Sequence, residues 1–156
     1  MAKLEIKNKN NAIIGYSILD KDDFKRAKQF RWSMHSGGYC QTRVNGKLIK
    51  LHQFILGKKQ GYEIDHFNGN KLDNRKQNLR FCTKSQNQFN CGPSKRNTSG
   101  LRGVSWHKKA GKWQARFRYN YEYIWLGLFN DKQEAGDAVK RAIKVKLGNF
   151  EICETS

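Results

Sequence analysis

Residues 65–74 read DHFNGNKLDN, and this stretch decides how the first half of the chain folds. The triplet Ile64-Asp65-His66 is typical of the end of a strand, and the asparagine- and glycine-rich residues after it predict a loop. A second short strand is expected at Leu79–Cys82. Thr83 is placed to cap a helix that runs from Ser85 to about Asn90, because its hydroxyl can accept a hydrogen bond from a first-turn amide.

Two adjacent side chains of this stretch have the chemistry of phosphodiester hydrolysis. Neighbouring residues of a strand point to opposite sides, so Asp65 can hold a metal while His66 faces an attacking water. A carboxylate suits Mg²⁺ or Mn²⁺, and Asn87 in the following helix can supply a second oxygen ligand. Asn78 can hydrogen-bond the loop that carries His66 and fix it. On spacing alone, an Asp-His pair is more often a satisfied surface or turn pair than a catalytic site. The other asparagines of the loop are interpreted as turn residues: Asn68, Asn70 and Asn74.

The chain is basic along its whole length. Its 156 residues include 31 Lys plus Arg against 13 Asp plus Glu, a net charge of +18, and each third of the chain is positive. A charge of this size repels itself unless the partner is a polyanion, and its even spread favours an extended contact along nucleic acid. Charge alone leaves a ribosomal or membrane-surface protein open as the alternative. A hydrophobic fraction of 37% predicts small cores rather than one large core.

The sequence shows no sign of export or membrane insertion. Met1–Lys7 lacks the apolar segment of a secretory signal, and no apolar run is long enough to cross a bilayer. A cytoplasmic, intracellular protein is therefore expected. No pair of cysteines is two residues apart, so all four are expected to be small hydrophobic side chains rather than zinc ligands or disulfides. They are Cys40, Cys82, Cys91 and Cys153.

The residues before Asp65 predict further small elements of the same unit. Residues 1–11 are polar and are expected to form a loose arm, whereas residues 12–19 are typical of a strand. Asp20 or Asp22 is expected to cap a short helix that runs through Phe24, Ala27 and Phe30, whose spacing puts them on one face. Asn45-Gly46 suits the positive φ angles of a tight turn, so the residues on either side of it are predicted to pair as a hairpin.

The composition predicts a domain boundary after residue 90. Residues 91–100 contain the only proline and no large apolar residue, which is typical of a linker. We therefore expect one domain at residues 1–90 and a second at residues 101–156.

The second domain is predicted to be a three-stranded antiparallel sheet packed on one helix, which makes the chain an α+β protein. Strands are expected at residues 102–107, 113–119 and 123–128. A helix capped by Asn130 or Asp131 follows, and Gly148 ends it.

One face of this predicted sheet has the pattern of a nucleic-acid contact. Strict alternation places Gln114, Arg116, Arg118, Tyr123 and Trp125 on the side away from the helix. A solvated charged face would leave the two aromatic rings exposed without purpose. Arginines interleaved with aromatic rings suit a sheet that lies in a DNA groove.

The first domain resembles the HNH nuclease family, and within it the intron-associated and phage homing endonucleases. The matching motifs, between His52 and Asn90, are Leu51-His52, Ile64-Asp65-His66, Asn68-Gly69, Leu72-Asp73-Asn74-Arg75, Asn78-Leu79-Arg80 and Asn87-Gln88-Phe89-Asn90. The resemblance implies a ββα-metal fold that cleaves DNA, with Asp65 and Asn87 as metal ligands, His66 as general base and Asn78 as the orienting residue. Asn87 matches the subgroup that has Asn where His is common, which implies Mg²⁺ rather than a zinc-like metal. His52 is matched as well, and either an active-site neighbour or a packing histidine fits it.

The second domain resembles the plant APETALA2/ethylene-response DNA-binding domain. The matching motifs are Arg102-Gly103-Val104-Ser105-Trp106, Gly111-Lys112-Trp113, Trp125-Leu126-Gly127-Leu128-Phe129 and Glu134-Ala135. By this resemblance, Arg102, Arg118 and Trp125 match DNA-contacting positions, and Lys112 and Gln114 belong to the same predicted surface. Other contact positions carry different residue types, so the target sequence of the plant domain does not transfer. These positions are Ser105, His107, Arg116 and Tyr123.

The sequence therefore predicts a metal-dependent DNA endonuclease of homing type, encoded by a phage or an intron. Its first domain would cut double-stranded DNA and its second would anchor the protein at a site. One active site per chain predicts a monomer that nicks. The alternatives are a DNA-binding regulator with an inactive nuclease domain and an RNA-binding accessory protein.

Overall fold

A computed structural model describes residues 1–90 and 96–148 and divides the chain into two compact units. The first unit is Met1–Asn87, and the second begins at Gln88. Both are mixed α/β units built on small antiparallel sheets, which agrees with the predicted class at this level. Every helix in the described part of the chain is too short or too polar to span a bilayer.

The first unit consists of short elements. In chain order they are β1 (Ala2–Lys7), β2 (Ile13–Leu19), α1 (Lys21–Ala27), β3 (Ser33–Met34), β4 (Cys40–Val44), β5 (Lys47–Lys50), α2 (Leu51–Leu56), β6 (Glu63–His66), a 3-10 helix (Lys76–Asn78), β7 (Leu79–Cys82) and α3 (Lys84–Asn90). The pairs β1–β2 and β6–β7 form two-stranded sheets, and β3–β4–β5 form a three-stranded sheet.

The prediction of a loose arm at residues 1–11 is wrong. β1 pairs antiparallel with β2, and its Leu4 and Ile6 are buried in the core of the unit. The prediction was wrong because it was based on the polar composition of residues 1–11. The polar residues occupy the solvent face of β1, whereas two apolar residues, spaced two apart, face inward. The side chain of Asn8 then accepts two backbone amides of the turn that joins the strands.

The other predicted elements of this unit are confirmed. Asn45 and Gly46 join β4 to β5 with φ angles of 49° and 75°, as the tight turn requires. α1 ends at Ala27, earlier than expected. Trp32 is fully buried at the centre of the core and donates from its ring nitrogen to the carbonyl of Ala27 at 2.8 Å.

The loop after β6 is held against β2. The amide of Ile18 donates to the carbonyl of Leu72, and the amide of Asn74 donates to the carbonyl of Ile18, each at 2.8 Å. The hydroxyl of Ser17 also donates to the carbonyl of Leu72 at 2.8 Å. A strand more than fifty residues earlier in the chain thereby fixes the loop that follows His66.

The second unit has the predicted sheet and helix. The strands β8 (Val104–His107), β9 (Lys112–Tyr119) and β10 (Glu122–Phe129) form an antiparallel sheet in the order β10–β9–β8, and α4 (Lys132–Leu147) packs on one face. Asp131 caps α4 by accepting the amide of Glu134 at 2.8 Å, and Gly148 follows its last turn. The core consists of Phe89, Val104, Ala115, Phe117, Ala135, Val139, Ile143 and Leu147.

The described part of the predicted linker is bonded to the second unit. Residues 91–95 lie outside the described residues. The hydroxyl of Ser99, which is buried, lies 3.0 Å from the carbonyl oxygen of Leu101 and 2.8 Å from that of Val104. Residues 97–101 thus lead into β8 through defined hydrogen bonds, and the domain boundaries stay a prediction.

Gly103 lies at a close approach between two backbone segments. It has a φ of +70°, and its carbonyl accepts the amide of Arg116 at 2.8 Å. A Cβ built on it would lie 2.4 Å from the carbonyl oxygen of Arg116 and 3.2 Å from a methyl of Val139.

We expect Gly103→Ala to lower the free energy of unfolding of the second unit by more than about 2 kcal/mol, because a clash with backbone adds to the cost of a left-handed conformation. Gly111→Ala is the matched control. Its φ is +60° with nothing within 4 Å of a Cβ, so only the conformational cost of about 1 kcal/mol applies. Urea denaturation followed by tryptophan fluorescence measures both variants, and equal losses would contradict the clash.

Candidate active site

Asp65 and His66 lie at the end of β6, both buried. β6 pairs with β7 so that Asp65 faces Arg80 and His66 faces Leu79. Adjacent residues of a strand project to opposite faces, so the two side chains have different surroundings, as the sequence predicted.

Asp65 is bound by a guanidinium. Its Oδ2 accepts from Nε of Arg80 at 3.0 Å and from Nη2 at 2.9 Å. The same guanidinium lies 4.7 Å from the ring centroid of Phe67. The pair balances the buried carboxylate charge, and sequence analysis assigned no role to this arginine.

Asn87 lies on α3 and is oriented by β6. Its side-chain nitrogen donates to a carboxylate oxygen of Glu63 at 2.5 Å. Glu63 and Asp65 are two residues apart on one strand, so they share a face of β6, and Asn87 is brought to that face. Because only the amide nitrogen can bond a carboxylate, the amide oxygen is the atom with which Asn87 could bind a cation.

The donor set on this face fits a hard cation. A carboxylate of Asp65 and an amide oxygen of Asn87 are ligands that Mg²⁺ accepts, and Mg²⁺ usually keeps several waters and substrate oxygens in addition. The thiol of Cys82 is buried and directed to the carbonyl of Glu63 at 3.7 Å, so it adds no soft ligand. In the described ranges, no group of three His, Cys, Asp or Glu could by itself hold a metal ion.

Asn78 closes the loop that carries His66. Its side-chain nitrogen donates to the carbonyl of Asp73 at 2.7 Å, and its Oδ1 accepts the amide of Asn68 at 3.0 Å. The backbone carbonyl of Asn78 accepts the amide of Phe67 at 2.8 Å. Both ends of the loop are therefore tied to one buried residue.

Asn74 is the residue that contacts the ring of His66, and the sequence analysis missed it by interpreting it as a turn residue. Its Oδ1 lies 3.2 Å from Nε2 of His66. Its Nδ2 donates to the hydroxyl of Ser17 at 3.0 Å and to the carbonyl of Lys71 at 3.1 Å. Full burial of a polar side chain separates this residue from an ordinary turn asparagine, and burial was not readable from the local sequence.

This network fixes the tautomer of His66. The proton of Ser17 is donated to the carbonyl of Leu72, so its oxygen must accept from Asn74. The amide nitrogen of Asn74 therefore faces Ser17, and its oxygen faces His66. Nε2 of His66 then carries the proton, and Nδ1 is the nitrogen that can accept one.

Burial keeps His66 neutral. Desolvation lowers the pKa of His66 below its usual value, and the charge of Lys71 adds to that effect. The hydrogen bond that the ring donates to Asn74 and the charges of Asp65 and Asp73 oppose it only in part. Asp73 is itself bound by Arg75 through contacts of 2.8 and 2.6 Å, which holds the pKa of that carboxyl low.

His52 is a direct neighbour of His66. The two rings lie 5.3 Å apart between centroids, in an edge arrangement, and the ring of Tyr39 contacts His52 at 5.2 Å and His66 at 6.0 Å. Burial lowers the pKa of His52 from 6.5 to about 3, and a protonated His66 and the charge of Lys50 would act in the same direction. His52 thus combines both readings left open by the sequence, because it packs in the site and adjoins the candidate base.

The predicted contact face of the second unit gathers most of its expected residues. Tyr123 lies opposite Arg118 and Trp125 opposite Arg116 on neighbouring strands, and the two aromatic rings are 69% and 53% exposed. The guanidinium groups of Arg116 and Arg118 lie 5.5 and 5.8 Å from the ring centroid of Tyr123. Gln114 continues the face by donating to the hydroxyl of Ser105 at 2.7 Å.

The remaining predicted contact residues lie at the margins of this face. Arg102 donates to the carbonyl of Gln88 at 3.0 Å and, with the two arginines of β9, lines a shallow groove. The ring of His107 accepts the amide of Ala110 at 3.1 Å and so closes the turn before β9. Lys112 pairs with His107 across the strands.

The described cysteines are buried. Cys40 lies in the core of the first unit, and burial raises the pKa of its thiol to about 11. Neither Cys40 nor Cys82 is in a disulfide. Cys91 and Cys153 lie outside the described residues.

Comparison with known proteins identifies one segment of the chain. Residues 57–89 match the family model described as HNH endonuclease. Protein 3.8 of Escherichia phage T7 is 44% identical over 55 residues, which cover 35% of this chain and 46% of that protein. An uncharacterized HNH endonuclease of Acanthamoeba polyphaga mimivirus is 32% identical over 96 residues, which cover 58% of this chain and 50% of that protein.

The chain spans about half the length of these curated relatives. No solved structure matches it. The matches support nuclease activity at the level of the family. They do not support the APETALA2-like prediction for residues 101–156.

The stability of the first unit should fall as the pH drops from about 6.5 towards 3. In this range the unfolded chain binds a proton on His52, whereas the folded chain keeps the ring neutral until the pH is near 3. The proton uptake on unfolding gives a slope of at most about 1.4 kcal/mol per pH unit from this residue. His52→Phe, which retains an aromatic ring, should flatten the slope in urea denaturation measured at several pH values. The wild-type slope in this variant would refute the assignment. The remaining slope is expected from His66 and, at the acid end of the range, from Asp73, whose pKa is also lowered in the folded chain.

Proposed function

We propose that this protein is a metal-dependent DNA endonuclease of homing type, in which the first unit hydrolyses a phosphodiester bond and the second holds double-stranded DNA. The observation that carries the proposal is the hydrogen-bond chain from Ser17 through Asn74 to His66, next to Asp65. It orients a neutral imidazole with an accepting Nδ1 inside the segment that matches the HNH endonuclease model. A general base needs this combination of orientation and protonation state.

His66 accepts the proton of the attacking water in this mechanism. The water oxygen forms a new bond to phosphorus as the bond to the leaving oxygen breaks, and the proton passes to Nδ1. Nε2 stays protonated and bonded to Asn74, so the resulting imidazolium is held in place. Asn78 fixes the loop around His66 as the orienting residue.

Asp65 and Asn87 are the residues that would hold a divalent cation, with Mg²⁺ expected and Mn²⁺ accepted. When bound, such a cation neutralises charge on the phosphate and on the leaving oxygen. The guanidinium of Arg80 already bonds Asp65, so this residue orients the carboxylate and shares its charge.

The pairing of Asp65 with Arg80 also defines the second candidate function. A DNA-binding regulator with an inactive nuclease domain would keep this ion pair as a purely structural link. Cleavage of plasmid DNA with Mg²⁺, and its loss with EDTA, distinguishes the two. Complete absence of metal-dependent nicking would favour the regulator.

The second unit is proposed to bind DNA through its exposed sheet face, in the manner of an APETALA2-like domain. The arginines are held beside aromatic rings, so less side-chain freedom is lost when they bind DNA. With one candidate base per chain, a monomer would nick one strand. Viral relatives fit an origin in a phage or a similar element.

His66→Ala should reduce cleavage by about 10²–10⁴-fold and leave DNA affinity close to that of the wild type, because the base acts on water and not on binding. Cleavage is measured as nicking of supercoiled plasmid with Mg²⁺, and affinity is measured by mobility shift in EDTA. Added imidazole should restore part of the cleavage in this variant. Equal loss of cleavage and of binding would reject the assignment of His66 as the base.

Arg118→Ala should weaken DNA binding by about tenfold, while cleavage at saturating DNA stays unchanged. The slope of log Kd against log salt should fall by about one if the arginine contacts a phosphate. Arg141→Ala is the matched control, since Arg141 is also exposed in the second unit but lies on α4, which packs on the opposite face of the sheet. Equal effects of the two variants would argue against the sheet as the DNA contact.

A further inference from the structure

Two lysines converge on one aromatic ring beside the candidate base. The Nζ atoms of Lys50 and Lys71 each lie 4.6 Å from the ring centroid of Tyr39. Nζ of Lys71 also donates to the carbonyl of Gly37 at 2.8 Å. The same ring contacts His66 with 6.0 Å between centroids.

The positive charge of these lysines is not balanced locally. Neither lysine forms an ion pair with any residue in the described part of the first unit. The carboxylates whose charges act on His66 are bound elsewhere, Asp65 by Arg80 and Asp73 by Arg75. An anion beside the two ammonium groups would offset this charge.

We propose that Lys50, Lys71 and Tyr39 form a seat for a backbone phosphate of the bound strand, within one nucleotide of the bond that is cleaved. This inference rests on the proposed nuclease function. The ring of Tyr39 has both ammonium groups within 4.6 Å of its centroid, and the carbonyl of Gly37 accepts a hydrogen bond from Lys71. An ammonium group binds phosphate as a point charge, so the seat positions the strand without reading its sequence.

Both lysines belong to segments that also carry residues of the candidate site. Lys50 precedes α2 and stands two residues before His52, and Lys71 belongs to the loop that Asn78 closes after His66. A phosphate held by both lysines would therefore tie β5 and α2 to the catalytic loop. Binding of the strand and alignment of the base then depend on the same contacts.

The test uses the full chain and a short duplex that contains the nick mapped on plasmid DNA. Lys50→Gln and Lys71→Gln should each lower kcat/KM about tenfold. Lys71→Arg keeps the positive charge, so its kcat/KM should be close to that of the wild type. Lys47→Gln is the control, because Lys47 is an exposed lysine of β5 that lies opposite Val44 in the hairpin and should cleave like the wild type.

Methylphosphonate substitution of single phosphates identifies the occupant. At the phosphate that the seat holds, the neutral linkage should slow the wild type about tenfold but slow the Lys50→Gln Lys71→Gln double variant no further. The same loss in both proteins at every substituted position would overturn the proposal. This readout separates a phosphate contact from a purely structural role of the lysine.

A second measurement does not require cleavage. Titration with inorganic phosphate, followed by amide chemical shifts, should move the signals of Gly37 and Tyr39 in the wild type but not in the Lys50→Gln Lys71→Gln double variant. Absence of wild-type shifts would overturn the seat even if the protein cuts DNA. If the wild type never cleaves, the proposed function fails, and the phosphate titration still decides this inference.

Discussion

The amide of Asn74 is the interaction on which the candidate site depends. It joins three parts of the first unit: the strand β2 through Ser17, the loop after β6 through Lys71, and the ring of His66 at the end of β6. These hydrogen bonds have fixed directions. The hydroxyl of Ser17 has a single proton to donate, and the side-chain amide of Asn74 donates only from its nitrogen and accepts only at its oxygen. A hydrogen-bond chain of this kind sets a protonation pattern without any ionised group.

In the first unit, the buried ionisable groups near the candidate site are either paired with an opposite charge or neutral. Buried carboxylates are matched by arginines, as Asp65 is by Arg80 and Asp73 by Arg75, whereas the buried imidazoles stay neutral. Uncompensated positive charge is left at lysines nearer the solvent. In this chain of net charge +18, the buried acidic groups near the candidate site are thereby neutralised by arginines.

Much of the architecture was readable from the sequence because local rules decide it. The turn at Asn45-Gly46, the cap at Asp131 and the alternation of β9 each depend on a few neighbouring residues. β1 was missed since only two apolar residues mark it among lysines. The role of Asn74 was missed for a different reason: its partner Ser17 is 57 residues away, and no local pattern reports a contact of that range.

The hydrogen bonds between β2 and the loop after β6 matter for any attempt to transplant the candidate site into another protein. The segment that matches the HNH endonuclease model is residues 57–89, which contains His66 and Asn74 but not Ser17. A transplant of that segment alone would carry every proposed catalytic side chain and still lose the hydroxyl that orients the amide. The amide could then rotate and offer its nitrogen to the imidazole, which would favour the other tautomer. The portable unit of this chemistry therefore begins in β2, well before its recognisable motif.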